Sequence, residues 1–187
     1  DKYEAAEDVF VTVSVSKIDT IISVDDVELE LNVGDEDSIV AELTPDEAGN
    51  VSCVSSDESV VTGEEDGNVV AVGEGEATIT VSFTGDDKYE AADDVVVAVS
   101  VSKIDTSIDV DEDSLELFVG NDGSIVAELD PDVGDITFTS SDESVVTVDS
   151  QGNIKAVGGG RTGIIVSFAG DYKYKPSCAV VSVSVSK

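Results

Sequence analysis

Apolar and polar residues alternate with a period of two along most of the chain. Between Val27 and Val33, valine or leucine occupies every second position, and acidic or amide side chains fill the positions between them. The same alternation returns over residues 39–43, 77–83 and 95–101. Because successive side chains of a strand point to opposite faces, this pattern predicts β-strands with one apolar face and one polar face.

The pattern between Ile18 and Lys103 predicts about seven short strands and no helix of useful length. Glycine, proline and asparagine separate the strands, as in the turn at Gly49-Asn50. Each sheet of such strands hides one face and leaves the other in water, so two sheets must pack face to face. The sequence therefore predicts an all-β fold of immunoglobulin-like β-sandwiches with about seven strands each.

The chain also repeats itself at an interval of about 86 residues. It opens with DKYEAAEDVFVTVSVSKIDT, continues from Asp87 with DKYEAADDVVVAVSVSKIDT, and ends with a looser copy, YKYKPSCAVVSVSVSK, from Tyr172. We interpret residues 1–17 as the terminal strand of a preceding repeat, 18–103 as the first full repeat and 104–187 as the second. The expectation is a window from a longer array, in which each repeat has its neighbours as partners.

The chain carries 42 acidic and nine basic residues, for a formal charge of −33. Such a surface repels phosphates and anionic lipid, which argues against nucleic acid as a partner. No apolar run reaches the roughly 18 residues of a membrane span, so we expect no membrane insertion in this segment. Seven of the nine basic residues lie in the three tail copies: Lys2, Lys17, Lys88, Lys103, Lys173, Lys175 and Lys187.

Two segments carry a family resemblance. VSCVSSDESVV from Val51, followed by GNVVAVGEGEATITVSF, and ITFTSSDESVVTVDSQGNIKAVGGGRTGIIVSF in the second repeat resemble the bacterial immunoglobulin-like domain of group 2. The ending F-x-G-D-x-x-Y, which begins at Phe83 and at Phe168, is similar to the tails of adhesin-like surface proteins of methanogenic archaea. The resemblance implies stalk modules of a secreted protein, located outside the cell at its surface.

Catalytic machinery is hard to find in this composition. The absence of histidine excludes Ser-His and Cys-His nucleophiles and His-based zinc sites, and scattered carboxylates are typical of a solvated acidic face. We therefore predict that the chain is not an enzyme. Cys53 aligns with Phe138 at a core position and Cys178 with Asp93, so we expect two unpaired thiols.

Calcium is the one cofactor that the sequence suggests. Asp109, Asp111 and Asp113 alternate at the start of the second repeat and offer oxygen ligands that a hard cation accepts. On a strand these carboxylates would merely form the polar face. The first repeat has Ser23, Asp25 and Val27 at the corresponding positions, so the motif is not common to both repeats.

Two further features suggest sites. Asn50-Val51-Ser52 is a glycosylation sequon at a predicted turn. In the tail copy at the start of the chain, an alternating strand lacks a repeat of its own and offers an open edge for strand donation through Val9, Val11, Val13 and Val15.

Three functions are compatible with these features. The leading hypothesis is a structural spacer in an adhesin-like protein, in which other parts of the protein reach a host or neighbouring-cell surface. The first alternative is a subunit of a self-assembling extracellular fibre, in which other copies of the chain are linked by strand donation. The second is a module that binds glycan or protein, although four tyrosines and five phenylalanines leave little aromatic surface for sugar stacking.

Overall fold

A computed structural model describes residues 2–64 and 66–187. Within the described part of the first repeat the chain forms nine strands and one 3₁₀ helix, at Asp46–Ala48. The strands are β1 (Ile21–Val24), β2 (Glu28–Asn32), β3 (Glu36–Ser38), β4 (Ala41–Thr44), β5 (Ser52–Ser55), β6 (Val61–Gly63), β7 (Asn68–Ala71), β8 (Gly75–Ser82) and β9 (Val95–Ser102).

The second repeat has the same series of strands in the same order. They are β10 (Ser107–Val110), β11 (Ser114–Phe118), β12 (Asp122–Ser124), β13 (Ala127–Asp130), β14 (Thr137–Ser140), β15 (Val146–Val148), β16 (Asn153–Ala156), β17 (Gly160–Phe168) and β18 (Ser177–Ser186). The expected all-β fold is thus confirmed.

Each repeat contains a four-stranded sheet, in the order β2-β9-β8-β5 or β11-β18-β17-β14. Its first pair, β2 with β9 or β11 with β18, is parallel, and the other pairs are antiparallel. The remaining strands form a three-stranded sheet, β3-β7-β6 or β12-β16-β15, and a two-stranded sheet, β1-β4 or β10-β13. The second layer expected from the sequence is therefore divided into two smaller sheets.

This division arises where the chain changes partners between β3 and β4. Ile39 donates its N–H to the carbonyl of Gly67, which continues the pairing of β3 with β7. Val40 instead donates to the Asp25 carboxylate, and β4 then pairs with β1. A run that appears continuous in the sequence pattern thus serves two sheets in succession.

The alternation of the sequence becomes the core of each repeat. In β9, Val97 is fully buried while Val96 is 52% exposed. One apolar cluster draws its residues from Ile22 to Val101, and a second draws its residues from Ile125 to Val185. The two cores therefore share no residue, and each lies between the sheets of one repeat.

The opening segment does not continue this pattern. Residues 2–17 form no strand in the structure, and Asp1 lies outside the described residues. The four valines of the expected strand, Val9, Val11, Val13 and Val15, are 78–89% exposed. The equivalent strand β9 obtains its partners, β2 and β8, from its own repeat, whereas residues 2–17 precede any complete repeat. Because a strand needs a partner for its backbone groups, this segment stays irregular.

Candidate interaction sites

The linker between the repeats is held by hydrogen bonds to the second repeat. It comprises Lys103–Thr106, between the end of β9 and the start of β10. The N–H of Ile104 donates to the carbonyl of Lys173 at 2.9 Å, and the N–H of Lys175 donates back to the carbonyl of Ile104 at 2.8 Å. We call this arrangement of Lys103–Thr106 against the loop Asp171–Lys175 the linker clamp.

Side chains reinforce the linker clamp on both sides of this backbone pairing. The Thr106 hydroxyl donates to the carbonyl of Lys175 at 2.9 Å, and the Lys103 ammonium donates to the carbonyl of Asp171 at 2.7 Å. Lys175 also forms an ion pair with Asp105 at 2.8 Å. The hydrogen bond to the Asp105 carboxylate and its negative charge raise the pKa of Lys175, which favours the charged form of this lysine.

The first repeat has the same clamp at its own start. Ile18 donates to the carbonyl of Lys88 at 2.9 Å and accepts from the N–H of Glu90 at 2.8 Å, while the Thr20 hydroxyl donates to the carbonyl of Glu90 at 2.9 Å. Here the segment before the clamp is irregular rather than a folded repeat. The clamp is therefore a property of each repeat and does not require a folded neighbour.

The aspartate of the F-x-G-D-x-x-Y motif shapes the loop of each clamp. The Asp86 carboxylate accepts the N–H groups of Lys88 and Tyr89, both at 2.7 Å, and these bonds hold its pKa below the ordinary value of 3.8. Asp171 accepts the equivalent pair at 2.8 Å. Gly85 has φ +75°, and a Cβ there would lie 2.7 Å from a backbone nitrogen. The only sequence signal for this structural role is the recurrence of the motif in both repeats, which by itself indicates the family and not the hydrogen bonds of the loop.

The three carboxylates of the calcium hypothesis are not gathered into one group. Asp109 lies within β10, Asp111 in the turn after it and Asp113 just before β11. Nowhere in residues 2–64 and 66–187 does the structure bring three acidic or cysteine side chains together in a way that could hold a metal ion. Asp111 accepts the N–H of Val126 at 3.0 Å, and in the first repeat the equivalent Asp25 accepts the N–H of Val40 at the same distance. This carboxylate therefore has a structural role in both repeats. Calcium binding stays a prediction.

Each repeat has an open groove between β4 and β5, or between β13 and β14. The groove of the first repeat has a volume of about 510 Å³, and apolar side chains that include Ile39, Leu43 and Cys53 line it. The equivalent groove of the second repeat measures about 690 Å³ and includes Phe138. Both volumes lie in the range of ligand sites, and the second alternative from the sequence, a module that binds glycan or protein, stays a prediction.

Asn50, the glycosylation candidate, is exposed on the rim of the first groove. It follows the short 3₁₀ helix and precedes β5, outside regular structure. The hydroxyl of the sequon's Ser52 lies 2.9 Å from that of Ser82. The residue is thus accessible from solvent, and its glycosylation stays a prediction.

The two cysteines are unpaired, as expected from their positions. Cys53 is 6% exposed within the first core, and burial, with a smaller contribution from the charge of Asp66, raises the pKa of its thiol. Cys178 is exposed on β18. The buried thiol therefore behaves as a small apolar side chain.

Several solved structures have a low overall similarity to the chain. The chain resembles the S-layer protein rSbsC(31-844), with 15% identity and a TM-score of 0.42 over 91% of this chain and 28% of that one. It resembles domains 4 and 5 of the S-layer protein SbsC, with 15% identity and a TM-score of 0.39, over 90% of this chain and 98% of that one. It also resembles Drosophila N-cadherin EC1-4, with 14% identity and a TM-score of 0.39. This match covers 91% of this chain and 50% of the cadherin chain. The chain spans about a quarter of the first of these proteins.

No curated protein sequence matches the chain. The described residues contain no helix with the length and apolar character needed to cross a membrane. The model of the bacterial Ig-like domain (group 2) matches residues 20–95 and again residues 105–173, which together make up most of the chain. The chain therefore belongs to the bacterial Ig-like domain (group 2) family and carries two of its domains in tandem.

Proposed function

We propose that the chain is a non-enzymatic structural spacer of a secreted, adhesin-like cell-surface protein. The observation that carries this proposal is the linker clamp, in which Lys103–Thr106 is hydrogen-bonded to Asp171–Lys175. Membership of the bacterial Ig-like family supports the same function. The neighbouring repeats are the direct partners, and other parts of the protein would contact a host or neighbouring-cell surface.

A spacer must keep its two ends apart, and this requires a linker with little flexibility between the domains. A free linker lets adjacent domains explore many orientations, and the mean distance between the ends then falls. Here β9 ends at Ser102 and β10 begins at Ser107, and the residues between them bond to the second repeat. The connection thus adds little flexible chain between the two sandwiches.

Small-angle X-ray scattering tests the spacer function. We expect a profile of an elongated pair of domains for the native chain, and a broader distribution of distances after a flexible Gly-Ser segment is inserted between Lys103 and Ile104. A native profile that fits one compact globule would contradict the proposal. The same measurement with calcium or with a chelator tests the calcium hypothesis, since a calcium-dependent change that is lost in Asp109→Asn would support a site there.

A fibre formed by strand donation is the second candidate, because four valines of the opening segment are 78–89% exposed. Their equivalents in β9 and β18 already occupy the place of this strand in each repeat, so a donated strand must displace one of them or add to a free edge. Sedimentation of the native chain and of a chain without residues 1–17 decides the question. Oligomers that disappear with the segment favour a fibre, and monomers in both samples exclude it.

A further inference from the structure

One side chain of the second repeat reaches the surface of the first. Lys173, in the loop Asp171–Lys175, places its Nζ atom 3.0 Å from the position that a Cβ on Gly34 would occupy. Gly34 lies in the turn Asn32–Asp35 that follows β2 of the first repeat. The linker clamp lies within one repeat and its linker, whereas this contact joins the two repeats.

The receiving turn is held in one conformation by its own hydrogen bonds. The Asp35 carboxylate accepts the N–H of Asn32 at 2.9 Å, and the N–H of Gly34 donates to the carbonyl of Ala71 at 2.8 Å. Gly34 has φ +91°, a conformation that glycine adopts easily, and it leaves the space that the Lys173 ammonium uses. The turn therefore presents a fixed surface that is open to a long cationic side chain.

Charge favours the same pairing of surfaces. The turn carries the acidic residue Asp35, next to Gly34 in the sequence. Within a chain of formal charge −33, the loop of the second repeat thus places the Lys173 ammonium beside an acidic turn of the first, while Lys175 is paired with Asp105 of the linker. Attraction at this point offsets the repulsion that two acidic domains otherwise experience at short range.

We propose that the loop Asp171–Lys175 is a docking surface that fixes the orientation of the second repeat on the first. Lys173 is its contact residue and the turn Asn32–Asp35 is its receptor. This goes beyond the spacer function, because it assigns a recognition surface to each end of a repeat. The partner of either surface is another domain of this family with the complementary feature.

Residues 2–64 and 66–187 contain a second copy of each surface, and among them no folded repeat lies against either copy. Gly120 is the equivalent of Gly34, with φ +90°, and no atom lies within 4 Å of the position of its Cβ. Lys88 is the equivalent of Lys173 and lies in the loop of the first clamp, beside the irregular residues 2–17. These two residues provide controls that match the contact in sequence and local backbone.

Residual dipolar couplings of backbone amides test the docking in the full chain. When two domains are rigidly joined they share one alignment tensor, and when they move independently the tensors differ in magnitude. We expect a common tensor for the native chain and for Lys88→Gln, and different tensors for Lys173→Gln. A common tensor that survives Lys173→Gln would overturn the docking proposal, as would different tensors in the native chain.

The two glycines supply an independent comparison. Gly34→Ala and Gly120→Ala introduce the same methyl group at nearly the same positive φ, so they impose similar backbone strain. Gly34→Ala also places its methyl group 3.0 Å from the Lys173 ammonium, which must then shift by a few tenths of an ångström, and we expect this variant alone to increase the difference between the two tensors. Equal effects of the two substitutions would overturn the proposal. A scattering profile that stays elongated in Lys173→Gln leaves the spacer function standing, so the two proposals can fail separately.

Discussion

A buried hydroxyl group in the second repeat forms no hydrogen bond with any described residue. It belongs to Thr162 in β17, opposite Val183, and the equivalent residue of the first repeat is the buried Ala77. A hydroxyl group that is buried without a hydrogen-bond partner destabilises the folded state, because it loses its bonds to water. An apolar group of the same shape has no such penalty. We expect Thr162→Val to raise the free energy of unfolding by about 1 kcal/mol, as measured by urea denaturation followed by circular dichroism.

The control for this substitution is Thr162→Ser, which retains the hydroxyl and removes the methyl group. It should not stabilise the chain, because the unpaired oxygen stays buried. A Thr162→Val variant less stable than the native chain would contradict the prediction and would indicate that the hydroxyl has a partner in solution.

Which individual residues are buried was largely predictable, whereas their polar contacts were not. The alternation placed Val97, Val99 and Val101 in the core, and Cys53 at a core position, as the structure has them. The roles of Asp111 and Asp171 depend on N–H groups of other segments or of a particular loop shape. A period of two reports which face a side chain occupies, and it contains no information on the partner that a carboxylate will find.

Among the local elements, we expect the turn in SSDESVV to be sensitive to pH. The Asp142 carboxylate accepts the hydroxyl of Ser144 at 2.6 Å and its N–H at 2.9 Å, and these bonds hold the pKa of Asp142 below its ordinary value of 3.8. The first repeat repeats this arrangement with Asp57 and Ser59, with the same direction of pKa shift. The ionised carboxylate is therefore favoured in the folded turn.

A depressed pKa contributes stability that is present above the unfolded value and is lost as pH falls through the folded value. We expect Asp142→Asn to be less stable than the native chain at pH 7, and this difference to shrink below about pH 4. Glu143→Gln is the matched control, because it removes a charge from the next residue and leaves the Asp142 bonds in place. Thermal unfolding at several pH values measures the stability of both variants. A difference in stability between Asp142→Asn and the native chain that does not change with pH would contradict the lowered pKa of Asp142.

Strands were predictable where the apolar face is regular and not where it is interrupted. The long strands β8 and β9 alternate cleanly, while β3 consists of Glu36, Asp37 and Ser38, all exposed. β1 begins with two isoleucines in succession, so its faces cannot be read from a period of two. Both short strands exist because a neighbouring strand supplies hydrogen-bond partners, which is a tertiary effect that local sequence does not encode.

The whole chain contains two separate cores, and each should respond to its own substitutions. Ile79 and Ile164 are fully buried at equivalent places in the two clusters. Truncation of either to alanine should cost about 2–5 kcal/mol in its own repeat. We expect differential scanning calorimetry to show that Ile79→Ala lowers the transition of the first repeat and Ile164→Ala that of the second, with additive effects in the double variant.

Ile165→Ala provides the control, because this neighbour of Ile164 is 38% exposed and should affect stability less. If each single substitution shifted one common transition, the two repeats would unfold as a single unit. That result would contradict the division of the chain into repeats at residues 18–103 and 104–187.

The contact of Lys173 with the Gly34 turn has a geometric consequence for any protein that contains more than two such domains. A joint that is built the same way at every step rotates each domain by the same angle relative to the one before it. Small twists then accumulate into a regular superhelix instead of cancelling at random. Grooves, glycans or loops on equivalent faces would then follow a spiral along the array of repeats. The pitch of this spiral would be set by the angle between one repeat and the next.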